Sequence, residues 1–371
     1  MSLRDIMLAI YAPFKSAGHG IARFMFSPTQ GAYPFPVNKG TSILFLRHDA
    51  LGDMLATLPM IRAVKNHYPD AIIHILCTES NASILDHADF IDHVHIVSRS
   101  IHDAPITHLK DILRIRRLHV DIIVNCLTSK MSKNGIITRL LSHANTLSSS
   151  IYAGDRYAIY VSRQSMTAAH ASIMWEKMMN LGRETFNLHV SDRECKPFFP
   201  SSESHASTAE QTLRLLLHPN ETFVAINISV GQQRNQWSID AYDAFIHHVQ
   251  DRGFVPLLFA MERDLSIVDS LKERIPGLKQ YPSDRHVCEV GEALRLASWG
   301  LSPDTGFLHL ATAAGCPMIA LYCYLPDQAK DEWIPYRIPH LRIFSTTNDI
   351  MSIHASTVID AMKHSSMFTI S

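Results

Sequence analysis

The chain has 371 residues, of which 46% are hydrophobic and 19% are charged, so it is long enough for two ordinary domains with full cores. Lys and Arg number 34 against 35 Asp and Glu, so no overall field attracts nucleic acid, and an anionic partner must be met by a local patch. The six cysteines form no C-x-x-C pair and mostly lie in apolar, strand-like contexts, which favours a reducing cytoplasm.

The first forty residues are predicted to be an N-terminal extension. Pro13 and Lys15 interrupt its apolar run, which disfavours a signal peptide, and the run is too short to span a membrane. Two interpretations stay open: a helix on a membrane surface, or a helix or tail packed on the first domain. The pattern consists of apolar residues at roughly helical spacing with basic residues between them: Ile6, Ile10, Phe14, Ile21, Phe24, and Arg4, Lys15, Arg23.

A strand, helix, strand unit follows the extension. Residues 43–46 are an unbroken apolar run, typical of a parallel strand buried on both faces, and the polar cluster from Arg47 to Asp49 follows at once. Asp53 stands where a helix is predicted to begin, and residues 71–76 form the next strand. Ligands of open α/β sheets collect at the carboxyl ends of strands, where Asp49 and Asp53 lie. Asp53 is therefore either a functional carboxylate or only a helix N-cap.

The same alternation continues along the chain and predicts two α/β domains. A segment rich in Pro and Ser at residues 196–207 marks the boundary. The predicted domains are residues 41–199 and residues 200–371, facing each other across a cleft. The patterns predict strands at 93–97, 121–126, 223–228, 255–260 and 318–322, and helices at 107–118, 135–142, 241–252, 264–274 and 291–297.

The segment "LSPDTGFLHLATAAGCPMIALY" predicts an anion site. Asp304 and Thr305 are placed to cap a helix whose first turn carries Gly306, and Gly315 is placed to end it. A helix N-terminus with a small residue in its first turn suits a diphosphate. The sequence has neither G-x-G-x-x-G after a strand nor G-x-x-x-x-G-K-[ST], so neither a dinucleotide redox enzyme nor a P-loop enzyme is supported.

Three motifs together resemble glycosyltransferase family 9, the ADP-heptose:lipopolysaccharide heptosyltransferases. They are "R-x-x-x-L-G-D-x-x-x-T-L-P" at residues 47–59, "D-T-G-x-x-H-x-A" at 304–311 and the tail "MSIHASTVIDAMK", in the family's order. The resemblance implies the GT-B architecture, with two Rossmann-like domains and a C-terminal helix that returns to the N-terminal domain. It also implies donor binding mainly by the second domain, acceptor binding by the first, and inverting transfer without metal or cofactor. No D-x-D occurs in the chain, which agrees with the last point.

The resemblance also assigns roles to residues. Asp53 matches the family's catalytic carboxylate, which takes the proton of the acceptor hydroxyl. Asp49 has no family counterpart; it couples to Asp53, contacts the acceptor or only lines the rim. Arg234 is the one cation in the predicted phosphate loop, whereas Asn235 holds the place where relatives commonly have Lys. An exposed loop Arg is the alternative reading of Arg234.

Further donor-side residues are predicted in the second domain. Glu262 matches an acidic position that contacts the nucleoside ribose, although residues 259–261 replace the usual glycines. The diphosphate is expected at Asp304, Thr305 and Gly306. His309 is predicted to lie on the helix, oriented by Asp304 or the backbone, with either a structural role or a phosphate contact.

The acceptor side is predicted from a basic cluster in the first domain. Lys130, Lys133 and Arg139 follow one strand and suit phosphate or keto-sugar carboxylates, although a solvated helix face explains them equally well. Arg156, in "GDR", occupies a place where relatives have similar residues.

The sequence therefore predicts a cytoplasmic transferase of heptose from ADP-heptose to a lipid-linked lipopolysaccharide inner-core acceptor. It is expected to contact the inner membrane peripherally and to bind no nucleic acid. The alternatives are a family-9-like transferase with another nucleotide sugar or polysaccharide acceptor, and a non-catalytic nucleotide-sugar-binding protein.

Overall fold

The computed structural model describes residues 28–97, 105–128, 132–324 and 331–365. Two six-stranded sheets lie within these ranges. The strands of the first sheet are β1 (Ser42–Leu46), β2 (Ile72–Cys77), β3 (His93–Ile96), β4 (Ile122–Asn125), β5 (Leu147–Ile151) and β6 (Arg163–Ser165). Those of the second are β7 (Phe223–Asn227), β8 (Val255–Phe259), β9 (Lys279–Gln280), β10 (Trp299–Pro303), β11 (Met318–Tyr322) and β12 (His340–Phe344).

The helices alternate with the strands along the chain. In the first half they are α1 (Leu51–His67), α2 (Glu79–Ala82), α3 (Pro105–Arg116), α4 (Ser132–Leu141), α5 (Met166–His170) and α6 (Met174–Phe186). In the second half they are α7 (Glu203–Leu216), α8 (Ile239–Asp251), α9 (Leu265–Arg274), α10 (Val287–Leu296), α11 (Gly306–Ala314) and α12 (Ala355–Lys363).

Both sheets are parallel and share one topology. The first has the order β3-β2-β1-β4-β5-β6, and the second has β12-β11-β10-β7-β8-β9. Counted from its own first strand, each order is the dinucleotide-fold order 3-2-1-4-5-6, in which ligands bind where the strand order reverses. The prediction of two Rossmann-like domains in a GT-B arrangement is confirmed.

The central strands β1 and β4 of the first sheet are buried on both faces, which explains their apolar sequences. Side chains of β1 alternate between two cores, because successive residues of a strand point to opposite faces. Ile43 and Phe45 pack with α1 and α6, whereas Leu44 and Leu46 pack against apolar residues of α3 and α4. The carboxyl end of β1 therefore emerges from the centre of the sheet in a fixed position.

The two domains contact each other through α1 and α11. One apolar cluster is continuous from the core beneath α1 to Leu308 and Ala311 of α11. A second contact comes from the connection between β11 and β12, where the carbonyl of Glu332 accepts a hydrogen bond of 2.8 Å from the amide of Met174 in α6. The carboxylate of Glu332 also pairs with Lys177 at 2.5 Å. The domains are therefore joined on both sides of the junction.

The expectation that the C-terminal helix returns to the first domain is wrong. The last described helix, α12, packs on α8 and β12 of the second domain. Val358 and Met362 join the same apolar cluster as Trp237, whose indole N–H donates to the carbonyl of Ile353 at 2.6 Å. The apolar face of α12 is therefore buried within its own domain, and the return contact is made instead by the segment that contains Glu332.

The predicted extension divides into two parts. Residues 1–27, with the amphipathic pattern, lie outside the described residues. Residues 28–40 run along the first domain, where Phe35 is buried and its amide donates to the carbonyl of Thr185 at 2.8 Å. The hydroxyl of Tyr33 contacts that of Ser149 at 2.5 Å. This second part is thus anchored to the first domain.

Two further sequence-based expectations concern the cysteines and the membrane. All six cysteines are free and buried, as their apolar contexts predict. Among the described residues, no helix has both the length and the apolar character needed to cross a membrane.

Candidate active site at the junction of the two domains

A buried arginine organises the carboxyl end of β1. The guanidinium of Arg47 is fully buried. Its Nε donates to the backbone carbonyl of Asp53 at 2.8 Å, and its Nη1 donates to the carbonyl of Cys126 at 2.7 Å and to Oδ2 of Asp49 at 3.0 Å. A planar guanidinium has five N–H donors in fixed directions, which suits this role. Arg47 therefore ties the ends of β1 and β4 to the first turn of α1.

Asp53 lies in the first turn of α1, and the interpretation of Asp53 as the helix N-cap is wrong. The helix begins at Leu51 and the N-cap residue is Ala50, so Asp53 is the third helical residue. Its Oδ1 lies 3.4 Å from Nη2 of Arg47, and 17% of its side chain is exposed. Asp53 therefore presents a carboxylate that is held on one side by a buried cation and is open to solvent on the other.

Asp49 shares the same guanidinium. Burial raises the pKa of its carboxyl group to about 7, Arg47 opposes the rise, and the neighbouring carboxylate of Asp53 adds to it. Burial by itself would lower the pKa of Arg47, but Asp49 and Asp53 outweigh that effect and raise it. Arg47 therefore stays charged, and the three groups form one coupled electrostatic unit.

A close contact between the domains fixes this unit against the second domain. The α-carbon of Gly52 faces the imidazole of His309 in α11, and a Cβ placed there would lie 2.3 Å from Cδ2 of that ring. A side chain at position 52 would therefore push the two helices apart. Asp53, the next residue, is consequently held close to α11.

Replacing Gly52 with Ala is expected to lower the melting temperature by several degrees, because the added methyl group overlaps His309. Scanning calorimetry measures the effect. The matched variant Gly306→Ala should melt within about a degree of the wild type, since its Cβ would lie 3.4 Å from Leu51, at an ordinary contact distance. Equal melting temperatures for Gly52→Ala and the wild type would contradict the steric argument.

The predicted anion site lies at the carboxyl end of β10. The helix α11 begins at Gly306 and ends at Gly315, whose φ is 81°, as the sequence predicts. Thr305 is the N-cap residue, but its hydroxyl makes no cap hydrogen bond. That hydroxyl instead accepts from Nδ2 of Asn227 at 3.1 Å, so the ends of β7 and β10 are tied together.

Asp304 and His309 lie together at the start of α11. Nε2 of His309 is 3.7 Å from Oδ1 of Asp304, and the side chain of His309 is only 6% exposed. The backbone carbonyl of Asp304 accepts a hydrogen bond of 2.9 Å from Nδ2 of Asn235, whose Oδ1 in turn accepts from the thiol of Cys323 at 3.1 Å. The separation between Nε2 of His309 and Oδ1 of Asp304 is longer than a hydrogen bond, so the orientation of His309 by Asp304 or by the backbone stays a prediction. Asn235 connects the predicted phosphate loop to the anion site.

A cavity of about 600 Å³ lies between the domains at these strand ends. Its volume is in the range of small-molecule sites. Ala50 and Leu51 line it from the first domain, and Thr305 and Gly306 line it from the second. Its apolar wall includes Phe259 and Tyr281, whose rings stack at 4.9 Å, and the ring of Phe307. An apolar wall beside a helix N-terminus suits a ligand in which a flat aromatic ring is joined to an anionic group.

Four of the predicted donor residues lie outside this cavity lining: Asp304 and His309 at the start of α11, and the exposed Arg234 and Glu262. Arg234 is exposed in the short 3-10 turn Gln233–Asn235, and its carbonyl accepts from the amide of Ile350 at 2.9 Å. Glu262 is also exposed, in the turn Glu262–Asp264. The arginines that line the cavity are Arg263 and Arg285, which the sequence did not single out. The roles of Arg234 and Glu262 stay predictions.

The predicted acceptor residues are only partly described. Lys130 lies outside the described residues. Lys133 lies in the first turn of α4, and Arg156 lies in the turn Asp155–Tyr160. The side chains of Lys133 and Arg156 are outside the described part of the structure. Arg139 lies in the last turn of α4, where burial and the charge of Arg116 lower its pKa. Because α4 connects two parallel strands and runs back from the carboxyl edge of the sheet, its last turn, with Arg139, lies toward the opposite edge from Asp53.

The match to a protein family agrees with this geometry. Residues 118–343, well over half of the chain, match the family described as Glycosyltransferase family 9 (heptosyltransferase). The chain belongs to glycosyltransferase family 9. This family 9 glycosyltransferase is 22% identical to lipopolysaccharide heptosyltransferase 3 of Escherichia coli (strain K12) over 296 residues, which are 73% of this chain and 79% of that protein.

Solved structures show the same fold. The family 9 glycosyl transferase of Veillonella parvula DSM 2008 superposes with a TM-score of 0.72 at 14% identity, over 88% of this chain and 97% of the other. E. coli heptosyltransferase WaaC, solved with ADP, gives a TM-score of 0.68 at 16% identity, over 87% of this chain and 99% of the other. The protein is therefore a GT-B glycosyltransferase of the heptosyltransferase family.

Proposed function

We propose that this glycosyltransferase moves heptose from ADP-heptose to a lipid-linked saccharide of the lipopolysaccharide inner core, with inversion and without a metal ion. The observation that carries the proposal is the position of Asp53. Its carboxylate is held by buried Arg47, beside the contact of Gly52 with α11, and α11 presents its N-terminus to the inter-domain cavity. A cytoplasmic location at the inner membrane, where such an acceptor is accessible, belongs to the same proposal.

Asp53 acts as the general base. Inverting transfer forms a bond between the acceptor oxygen and the anomeric carbon while the bond from that carbon to the diphosphate breaks on the opposite face. The hydroxyl proton passes to Asp53, and the electron pair of the broken bond leaves with the diphosphate. A carboxylate that is partly exposed and fixed by Arg47 is suited to meet that hydroxyl.

The first turn of α11 stabilises the leaving group. Backbone amides at a helix N-terminus favour negative charge, and Gly306 leaves them open to the cavity that Thr305 also lines. Asn227 fixes the hydroxyl of Thr305, so the site is ordered before the donor binds. Asn235 holds the start of the turn through its 2.9 Å hydrogen bond to the backbone carbonyl of Asp304. We assign the diphosphate of the donor to this turn and the nucleobase of the donor to the wall formed by Phe259 and Tyr281.

Titration calorimetry tests the donor site. ADP is expected to bind the wild type, and Gly306→Val should weaken binding at least about tenfold, because the added side chain points toward Leu51 and narrows the approach to the first-turn amides. The control variant Ala244→Val introduces the same side chain on an exposed part of α8 and should bind ADP normally. If the folded protein binds none of ADP, UDP and GDP, the transferase proposal is wrong.

A second candidate function is transfer from another nucleotide sugar. Arg263 and Arg285 line the cavity, and Asn235 holds a position where a cation was expected, so the charges around the donor differ from the predicted pattern. A thermal-shift screen of nucleotide sugars separates the two candidates, because the true donor raises apparent stability by mass action. Transfer from that donor should persist when a chelator is present. Recovery of a lost activity by magnesium or manganese would contradict the metal-independent mechanism.

A further inference from the structure

Two carboxylates share one buried cation beside the proposed base. Nη1 of Arg47 donates to Oδ2 of Asp49 at 3.0 Å, and Nη2 lies 3.4 Å from Oδ1 of Asp53. The guanidinium is fully buried, whereas 30% of the Asp49 side chain and 17% of the Asp53 side chain are exposed. One positive charge therefore faces two negative charges, and their ionisation is coupled.

Asp49 is not fully satisfied by these contacts. Its other oxygen, Oδ1, is buried, and no donor among the described residues reaches it. The groups that face the pair are Arg47 from β1, the buried thiol of Cys126 after β4, and the imidazole of His309 beside Gly52; His48 precedes Asp49 in the chain. A buried carboxylate oxygen without a donor is costly when the group is ionised. A proton on Asp49 would remove the charge and with it most of this cost.

We propose that Asp49 is a positioning residue for transfer, which makes Asp53 a stronger base by taking part of the charge of Arg47. The inference rests on the proposed function, since it concerns the base of that reaction. With Asp49 ionised, the charge of Arg47 is divided between two carboxylates, and Asp53 keeps more of its negative charge for the acceptor proton. With Asp49 protonated, the added proton can be shared with Asp53, whose oxygens are then less available.

The direction of the pH effect follows from the coupled pair. Burial and the charge of Asp53 raise the pKa of Asp49 to about 7, so the pair gains a proton as the pH falls through that value. Transfer by the wild type should therefore decline on the acid side near pH 7. In Asp49→Asn the pair can no longer gain this proton, and Arg47 acts on Asp53 alone. Asp53 then keeps less of its negative charge for the acceptor proton.

The pH dependence of kcat/KM tests this difference. For Asp49→Asn, the acid limb should move by at least about one pH unit to lower pH, and the plateau should fall about tenfold. The control Asp89→Asn neutralises an exposed carboxylate on the same domain and should keep the wild-type profile. An acid limb that stays in place in Asp49→Asn would overturn the inference, even if its plateau falls.

Thermal unfolding gives a readout that does not depend on transfer. The folded state favours protonated Asp49, so this group's contribution to stability is present at low pH and is lost as pH rises through about 7. Asp49→Asn should therefore melt a few degrees above the wild type at about pH 8 and close to it at about pH 4. A melting difference that is independent of pH would refute the shared charge. Failure of the wild type to transfer any sugar would instead refute the proposed function, with this titration still measurable.

Discussion

Replacing Asp53 with Asn is expected to slow sugar transfer by about 100- to 10,000-fold, the usual range for loss of a general base. The amide has almost the same size as the carboxylate, and its oxygen can still accept a hydrogen bond from Arg47, so the first turn of α1 should keep its conformation. What is lost is the capacity to take the acceptor proton. Steady-state kinetics with the donor identified by the thermal-shift screen measure the effect.

Two measurements separate this effect from a structural one. Donor affinity measured by calorimetry should change by less than about threefold, because the donor phosphates lie at α11 and not at Asp53 in the proposed site. The control variant Asp89→Asn should transfer at the wild-type rate, since it removes an exposed carboxylate from the same domain. Retained transfer by a well-folded Asp53→Asn protein would show that another group is the base.

Replacing Arg47 with Met is expected to destabilise the protein by up to about 3 kcal/mol, with most of the loss above pH 7. Removing one partner of a buried ion pair commonly costs about 3 to 5 kcal/mol, and the partial exposure of Asp49 and Asp53 places this case at the low end. The carbonyls of Asp53 and Cys126 also lose their donor. Chemical denaturation at about pH 8 measures the loss.

Two companion variants identify the cause. Arg47→Lys keeps the charge but lacks the fork that reaches two carbonyls, so its stability should lie between those of Arg47→Met and the wild type. Adding Asp49→Asn to Arg47→Met should recover part of the loss, because one of the two unpaired carboxylates is then removed. If the double variant is no more stable than Arg47→Met, repulsion between Asp49 and Asp53 does not contribute.

Most of the strands that the sequence predicted are those whose burial leaves a continuous apolar run, whereas the predicted edge strand β3 reads HVHI and is largely exposed. Strands β1, β7 and β11 are central or nearly central, are covered on both faces, and show such runs. By contrast, β5 reads LSSSI and gives no strand signal. Its serines are satisfied by contacts from distant segments, such as the 2.8 Å hydrogen bond between the hydroxyls of Ser149 and Thr185. Such contacts exist only after the chain has folded.

The residues of the candidate site likewise fall into those that the sequence predicted and those that only the structure revealed. The position of Asp53 was predictable because it follows an apolar strand run, and the turn at Thr305 and Gly306 was predictable from helix-start signals, each in a spacing that resembles family 9. Their roles stay predictions. The sequence could not show that Arg263 lines the cavity while exposed Glu262 lies outside its lining. The two residues are neighbours in one short turn, and only the packing of that turn on the cavity decides which side chain faces it.

The sequence by itself determined the fold class, the alternation of strands and helices in two domains, and the family, because these depend on periodic burial and on motifs of fixed spacing. Tertiary structure alone decided how Arg47 is used, since its partners come from the ends of two strands and the start of a helix. It also decided that Gly52 faces His309 and that α12 stays in its own domain. These features depend on distances between segments remote in the chain, and side-chain charge and close packing act only once those segments have met.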